Sequence, residues 1–457
     1  MTGNSAMQEL FDTSGAAELI AAGDTFSATA LHHGANDWSR ALRRAGIARG
    51  DRVVCALPNG PAFIQLLVAC LADGVTLAPV PPQEDVLPLL ELLDARAAIA
   101  ETSFHPQVAV PSRTGGPPSG PLLSRVASGR TDAVAFLLRS SGTTGPSRWI
   151  ALSEGGVLAT LESHLPKIGV DGAGVLCVLP WFHAFGLVLG LLPALLRARR
   201  IVTASAAARE HNDLIELARR HTISNISMVP LMATRLASHP DGVALLQALT
   251  GGVVGGAPID GTLATTLSTT RLRVGYGQTE AGPGIMLGEP GEFHGAFLGR
   301  PVGCDVRIDA DDVLAFTGPS ACTGYWQHGA LHPLDAGRWQ RTDDFVREER
   351  GAYTFVGRLS MTFKLANGKL VHAPQLEARI RQQIPRISDI VLASDDGIGI
   401  DARYGTQDGA PVAEQEIRRE LGSLQIFLRS TVCVRHDAWP RTPKGEIDRR
   451  QLSRQGQ

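Results

Sequence analysis

The feature that most restricts the fold is an alternation of short apolar runs with helical stretches, each change marked by Gly or Pro. ARGDRVVCALPNG (48–60) reads as turn, buried strand and turn, PAFIQLLVACLADG (61–74) as a helix closed by Gly74, and VTLAPVPP (75–82) as a second strand. A strand that returns to its sheet through a helix runs parallel to its predecessor, and helices cover such a sheet. Further strands are predicted in AVAFLLRS (133–140), GVLCVLPWF (174–182), RRIVTAS (199–205), ISNISMVP (223–230), LTGGVVGG (249–256) and LRVGYGQ (272–278). Residues 16–48 carry Leu31, Trp38 and Leu42 at helical spacing, with Arg40, Arg43 and Arg44 on the other face, which predicts a helix. From about residue 285 short strands and turns take over (CDVRI, VLAFTG, YTFVGR), and roughly 100 residues follow Arg358, the size of a small α+β domain. The Pro-, Gly- and Ser-rich stretch 105–130 reads as a surface connection.

Composition narrows the function. Of 457 residues, 44% are hydrophobic and 19% charged, a globular balance that excludes a disordered chain. Lys and Arg total 43 against 45 Asp and Glu, a net charge of −2. No general field draws the chain to nucleic acid or anionic lipid, so any bound anion needs a local site. The six cysteines form no C-x-x-C pair and are expected as buried free thiols in a reducing cytosol. MTGNSAMQELFDTSG lacks the pattern of a signal peptide, and no apolar run reaches membrane-spanning length. Phe185–Leu196 is apolar but interrupted by Gly186, Gly190 and Pro193, and reads as core.

The densest chemical signal is Arg139-Ser-Ser-Gly-Thr-Thr-Gly-Pro-Ser-Arg148, directly after the predicted strand Ala133–Leu138. Gly142 and Gly145 let the backbone turn with its N–H groups inward, and Ser140, Ser141, Thr143 and Thr144 add hydroxyls. With a cation, these donors make an anion cradle that needs no net positive charge. The spacing is not that of a Walker A loop.

This loop resembles the phosphate loop of the adenylate-forming enzymes, which include acyl- and aryl-CoA synthetases, luciferase and nonribosomal adenylation domains. Seven further motifs stand in family order: GGAP (255–258), GYGQTEAGPG (275–284), GRPVG (299–303), TGYW (323–326), RTDD (341–344), GRLSMTFKLANGK (357–369) and PRTPKGEIDR (440–449). The resemblance implies an α/β fold with a large N-terminal domain of doubly wound sheets and a β-rich subdomain (1–358). A small mobile α+β lid domain (359–457) follows. It also implies activation of a carboxylic acid by ATP and Mg²⁺ as an acyl-adenylate with release of pyrophosphate, then transfer to a thiol, coenzyme A foremost.

By the same resemblance, Ser140, Ser141, Gly142, Thr143, Thr144 and Gly145 hold the β- and γ-phosphates, with Arg148 in place of the usual Lys. Thr279 donates to the α-phosphate and Glu280 ligates Mg²⁺. Tyr276 stacks near adenine, in a nucleotide site that includes Gly255, Gly256, Ala257, Pro258, Gly277 and Gln278. Asp344 accepts from the ribose hydroxyls, and Arg358 reaches ribose or phosphate. His183, in PWFHAFG, stands at the gate between the ATP and acid sites, and Phe185, Leu189, Val254, Gly255 and Gly277 line the acid pocket. No acidic residue follows His183 closely, which favours an uncharged acyl or aryl tail over an amino acid. The implied setting is cytoplasmic, with a small acid as substrate and a carrier protein as a further possible partner.

The chain departs from the family at several points. Trp149 replaces a Gly, Asp343 replaces the Gly of RTGD, and Ser360 occupies the hinge where Asp or Lys is usual. Glu446 replaces the Lys that bridges carboxylate and α-phosphate. At ~4 Å and an effective dielectric of ~20, each such charge pair carries on the order of 4 kcal/mol before screening, so Glu446 cannot fill that role. Lys444 lies two residues earlier and, in an extended segment, on the same side. Transfer to a carrier protein or an amine, nitrite activation for N–N bond formation, and a non-catalytic nucleotide-binding homologue remain the alternatives.

Overall fold

The structure is a computed structural model that describes residues 18–100, 133–140, 148–204, 211–335, 337–394, 397–435, 439–440, 447 and 452. The surface connection read at 105–130 lies outside them. The chain divides into two compact units, 1–306 with 316–340 and 307–315 with 341–457.

In the first unit, the strands Arg52–Ala56, Thr76–Pro79, Ala97–Ala100 and Val134–Arg139 form the parallel part of a seven-stranded sheet. Trp149–Ser153, Gly324–Gln327 and Ala330–Pro333 extend it antiparallel, so the expected parallel sheet is mixed. The helix Pro61–Asp73 forms as predicted, with Pro at its start and Gly74 left-handed (φ 67°) at its end. Both faces of the sheet are apolar. Phe63, Leu67, Phe136, Leu138 and Ile150 belong to one core cluster, and Val54, Val80, Leu137 and Trp149 to another. Each such fully buried side chain contributes about 1.5–3 kcal/mol relative to exposure.

Two local expectations fail. Residues 18–26 are not the start of a helix but an antiparallel hairpin, Glu18–Ala21 with Asp24–Phe26. Its turn places Ala22 and Gly23 at φ 52° and 87°, a conformation no helix continues. The helix begins only at Ala28, where the Ser27 hydroxyl accepts from the Ala30 N–H at 3.1 Å, and it buries Leu31, Trp38 and Leu42 as the spacing required. Residues 223–230 make isolated bridges, not a strand: Asn225 with Val175 and Gly251, and Met228 with Val254. Polar side chains take over part of the ladder there. The Asn225 amide donates to the Ile168 and Gly169 carbonyls, and the Val253 N–H donates to Ser227 Oγ.

The first unit also holds Glu18–Ala21, Arg200–Thr203 and Gly174–Cys177 as neighbouring parallel strands, and Val253–Gly255 parallel to Arg273–Tyr276. In the second unit, Ala352–Arg358 pairs antiparallel with residues 344–349, and Thr362–Lys364 with Leu370–His372. Ile387–Ala393, Ile400–Thr406 and Leu428–Cys433 form a sheet, and the unit also contains the helices Ala373–Gln383 and Glu414–Leu421. Ile380, Ile390, Ile400, Ile417 and Leu424 belong to its apolar core. Among the described residues, all six cysteines are free, and four of them are buried. No described helix is long and apolar enough to cross a membrane.

The helix Glu154–His164 ends on a buried histidine. His164 is 1% exposed, and its Nδ1 lies 3.1 Å from the Thr160 carbonyl and 2.9 Å from Ser163 Oγ. Burial pushes its imidazole down to about 4 from 6.5, and Lys167 adds to the fall. The unfolded chain therefore binds a proton at a higher pH than the folded one. Stability should be full above pH 6.5 and fall as pH drops from 6.5 to 4, by up to roughly 3 kcal/mol. Denaturant unfolding of wild type and His164→Gln across pH 4–7 checks this: the variant should lose that part of the slope.

Candidate active site

The strands Val134–Arg139 and Trp149–Ser153 are antiparallel, with Arg139 opposite Trp149, so residues 140–148 connect a hairpin. Its neck is closed twice. The Ser140 N–H donates to the Arg148 carbonyl at 2.8 Å, and the Arg148 N–H donates to Ser140 Oγ at 3.0 Å. Ser141, Gly142, Thr143, Thr144 and Gly145 lie outside the described residues. Strand alternation sends neighbouring side chains to opposite faces. Trp149 is buried among Val54, Val80 and Leu137, with the Arg139 guanidinium 4.8 Å from its ring centroid. Arg139 also pairs with Glu84. Trp149 is thus a core residue of one face and leaves the Arg148 side of the hairpin unaltered. Arg148 is exposed and lies 5.6 Å from the Tyr325 ring centroid.

Thr279 and Glu280 sit on the single turn Thr279–Ala281, which packs against the strand Trp149–Ser153. The Cys322 N–H donates to the Glu280 carbonyl at 2.7 Å and ties this turn to the segment that carries Tyr325. Burial pushes the Tyr325 phenol up, Cys322 and Glu280 push it further, and Arg148 pulls it back by its charge and by a side-chain hydrogen bond. Cys322 is pushed up to about 12, chiefly by burial and then by Glu280. Ser140, Arg148, Glu280 and Tyr325 therefore share one region of the first unit. Among the described residues no three His, Cys, Asp or Glu side chains gather as a metal cage. A single carboxylate fits Mg²⁺, which is commonly held by one or two carboxylates together with substrate phosphates.

Tyr276, Gly277, Gln278, Thr279 and Glu280 are half-buried and follow the strand Arg273–Tyr276. The loop after them folds back, with the Ile285 N–H donating to the Tyr276 carbonyl at 3.0 Å. A Cβ on Gly277 would stand 1.7 Å from the Pro283 carbonyl oxygen, and one on Gly284 would stand 2.2 Å from His164 Nε2. Gly255 pairs with Gly275, whose carbonyl oxygen would meet a Gly255 Cβ at 2.3 Å. Beyond Gly255, Gly256 (φ 87°) and Pro258 are exposed and Ala257 is half-buried.

His183 and Phe185 are half-buried at the start of a helical stretch, and Leu189 is buried within the π-helical turn Leu187–Leu191. Such turns recur at functional sites. Leu189 lines a small cavity with Trp181, Gly186, Cys177, Asn225 and Ser227. Val254, fully buried, bridges Met228 in the segment that carries Asn225 and Ser227. The sequence pattern reads residues 225–228 only as a strand and gives Tyr325 no role. The position of Tyr325 in TGYW was the available signal. Nothing local marks Asn225 or Ser227.

In the second unit, Asp344 is buried and its carboxylate accepts from Arg358 Nε at 2.5 Å and Nη2 at 3.2 Å. Strand register sets them opposite one another. Asp343 sits inside the same strand, so the site of the replaced Gly is ordinary extended backbone. Ser360 lies in the turn Leu359–Met361. Lys444 and Glu446 lie outside the described residues.

The backbone contacts at Gly277 leave no room for a methyl group. Gly277→Ala should displace the loop that carries Thr279 and Glu280 and lower stability by about 1–3 kcal/mol. Thermal unfolding and ATP binding of this variant, compared with Gly261→Ala, check it; Gly261 has open space around its Cβ position.

The AMP-binding enzyme family matches residues 11–326. Feruloyl-CoA synthase of Amycolatopsis sp is 28% identical, over 74% of this chain and 74% of that one. 4-Coumarate–CoA ligase 3 of Oryza sativa subsp. japonica is 24% identical, over 94% of this chain and 87% of that one. In three dimensions, ATP-bound MatB from Rhodopseudomonas palustris matches with a TM-score of 0.80 and 19% identity, over 100% of this chain and 99% of that one, a likeness of fold. The chain belongs to the AMP-binding enzyme family and is an acyl- or aryl-CoA synthetase-like member of the adenylate-forming superfamily.

Proposed function

We propose that the protein uses ATP to activate an aryl or acyl carboxylic acid and passes the acyl group to the thiol of coenzyme A. The carboxylate oxygen attacks the α-phosphorus, the bond to the bridging oxygen breaks and pyrophosphate leaves. The thiolate then attacks the acyl carbon and AMP leaves. The observation that carries this reading is the pinned hairpin neck, with the Glu280 turn packed beside it. Relatives named for feruloyl-CoA, 4-coumarate and anthranilate support an aryl acid and coenzyme A.

In this reading, residues 140–145 and Arg148 bind the β- and γ-phosphates, and Thr279 donates to the α-phosphate. Glu280 takes an Mg²⁺ ion, which neutralises charge on the phosphates. Tyr276 and the GGAP segment face the adenine, and Asp344 with Arg358 serves the ribose and phosphate. His183 gates an acid pocket lined by Phe185, Leu189, Val254, Gly255 and Gly277. Residues 359–457 act as a lid hinged at Ser360, in a cytoplasmic enzyme. Glu446 supports a second reading, a homologue that binds nucleotide without turnover.

A panel of aryl and acyl acids should give pyrophosphate release that depends on one acid. No release with any of them counts against catalysis. Glu280→Gln should lower that rate by about 10²-fold or more, as expected for lost stabilisation of phosphate charge. Lys444→Ala separates the two readings of the last motif: a large loss means Lys444 substitutes for the missing cation. ATP binding without turnover, even in Glu446→Lys, would favour the non-catalytic homologue.

A further inference from the structure

We infer that Tyr325 is a positioning residue whose ring seats the Arg148 guanidinium for phosphate binding, an inference that rests on the phosphate-loop reading above. Tyr325 stands opposite Ile150 in the antiparallel pair, and Arg148 lies two residues before Ile150 on the same face. The guanidinium is 5.6 Å from the ring centroid, within cation–π range. The ring is half-buried against the main core of the first unit, so its own position is fixed. Arg148 is exposed, and a long arginine side chain loses much rotamer freedom when it engages an anion. A fixed aromatic face removes part of that loss before the nucleotide arrives.

The second reason is charge. Glu280 acts on the same phenol as Arg148 and is held near it by the backbone bond between the Cys322 N–H and the Glu280 carbonyl. An aromatic platform attracts the cation without neutralising it. The use of Arg in place of Lys suits this seat, because a planar guanidinium stacks on a ring.

The test is calorimetric titration of the full chain with Mg·ATP and, separately, with AMP, which lacks the β- and γ-phosphates assigned to the loop. Tyr325→Leu should weaken ATP binding about five- to tenfold, on the scale of one cation–π contact, and leave AMP binding unchanged. Tyr325→Phe, which keeps the ring, should stay within about twofold of wild type for both ligands. In an Arg148→Ala background, Tyr325→Leu should add nothing. Equal loss of ATP and AMP, a Phe variant as weak as the Leu variant, or full additivity with Arg148→Ala overturns the inference and leaves the loop reading standing. If Arg148→Ala alone leaves ATP binding intact, the loop reading falls and takes the Tyr325 role with it.

Discussion

Two hydrogen bonds across the neck of one hairpin underlie the candidate site. Ser140 and Arg148 are eight residues apart, yet each backbone N–H finds its acceptor on the other residue. Closing a connection of that length has an entropic cost, and the flanking antiparallel strands meet it by burying Phe136, Leu138, Ile150 and Leu152. Once the neck is closed, strand alternation separates two cations that lie close in space. Arg139 goes to Glu84 and the Trp149 ring, and Arg148 goes to the opposite face with Tyr325. A slip of one strand by one residue would put both on the same face.

Glycines set the second constraint. Gly255, Gly277 and Gly284 each occupy a place where the nearest atom leaves no room for a Cβ: the Gly275 carbonyl, the Pro283 carbonyl and the His164 imidazole. The loop of Thr279 and Glu280 is therefore held by close backbone approach and by a buried neutral histidine beneath it. Such a loop carries its polar groups in a defined place and gives little when the core below is altered.

The departures from family pattern fall into two kinds. Trp149 and Asp343 are accommodated by local structure: the first fills a core face, and the second continues a regular strand beside the Asp344–Arg358 pair. Arg148 keeps the charge of the usual Lys and gains a planar group that a ring can seat. Glu446 is of the other kind, because it reverses the charge of the Lys usual at that place in the motif.

Much of the architecture was legible in the chain, because strand and helix periodicities and Gly or Pro punctuation are local properties. The strands 52–56, 76–79 and 134–139 and the helix 61–73 with its Gly74 cap all follow from them. What failed locally did so where tertiary bonds replaced the local preference. Asn225 and Ser227 spend their side chains on neighbouring backbone, and a turn at Ala22–Gly23 folds a predicted helix back as a hairpin. The motifs name the residues proposed to carry chemistry, since those depend on residue type and order. Only the tertiary structure put Tyr325 beside Arg148, His164 under Gly284 and Leu189 in a cavity with Ser227. Those contacts join segments tens to hundreds of residues apart, and no periodicity within a strand or helix encodes which distant faces the packing brings together.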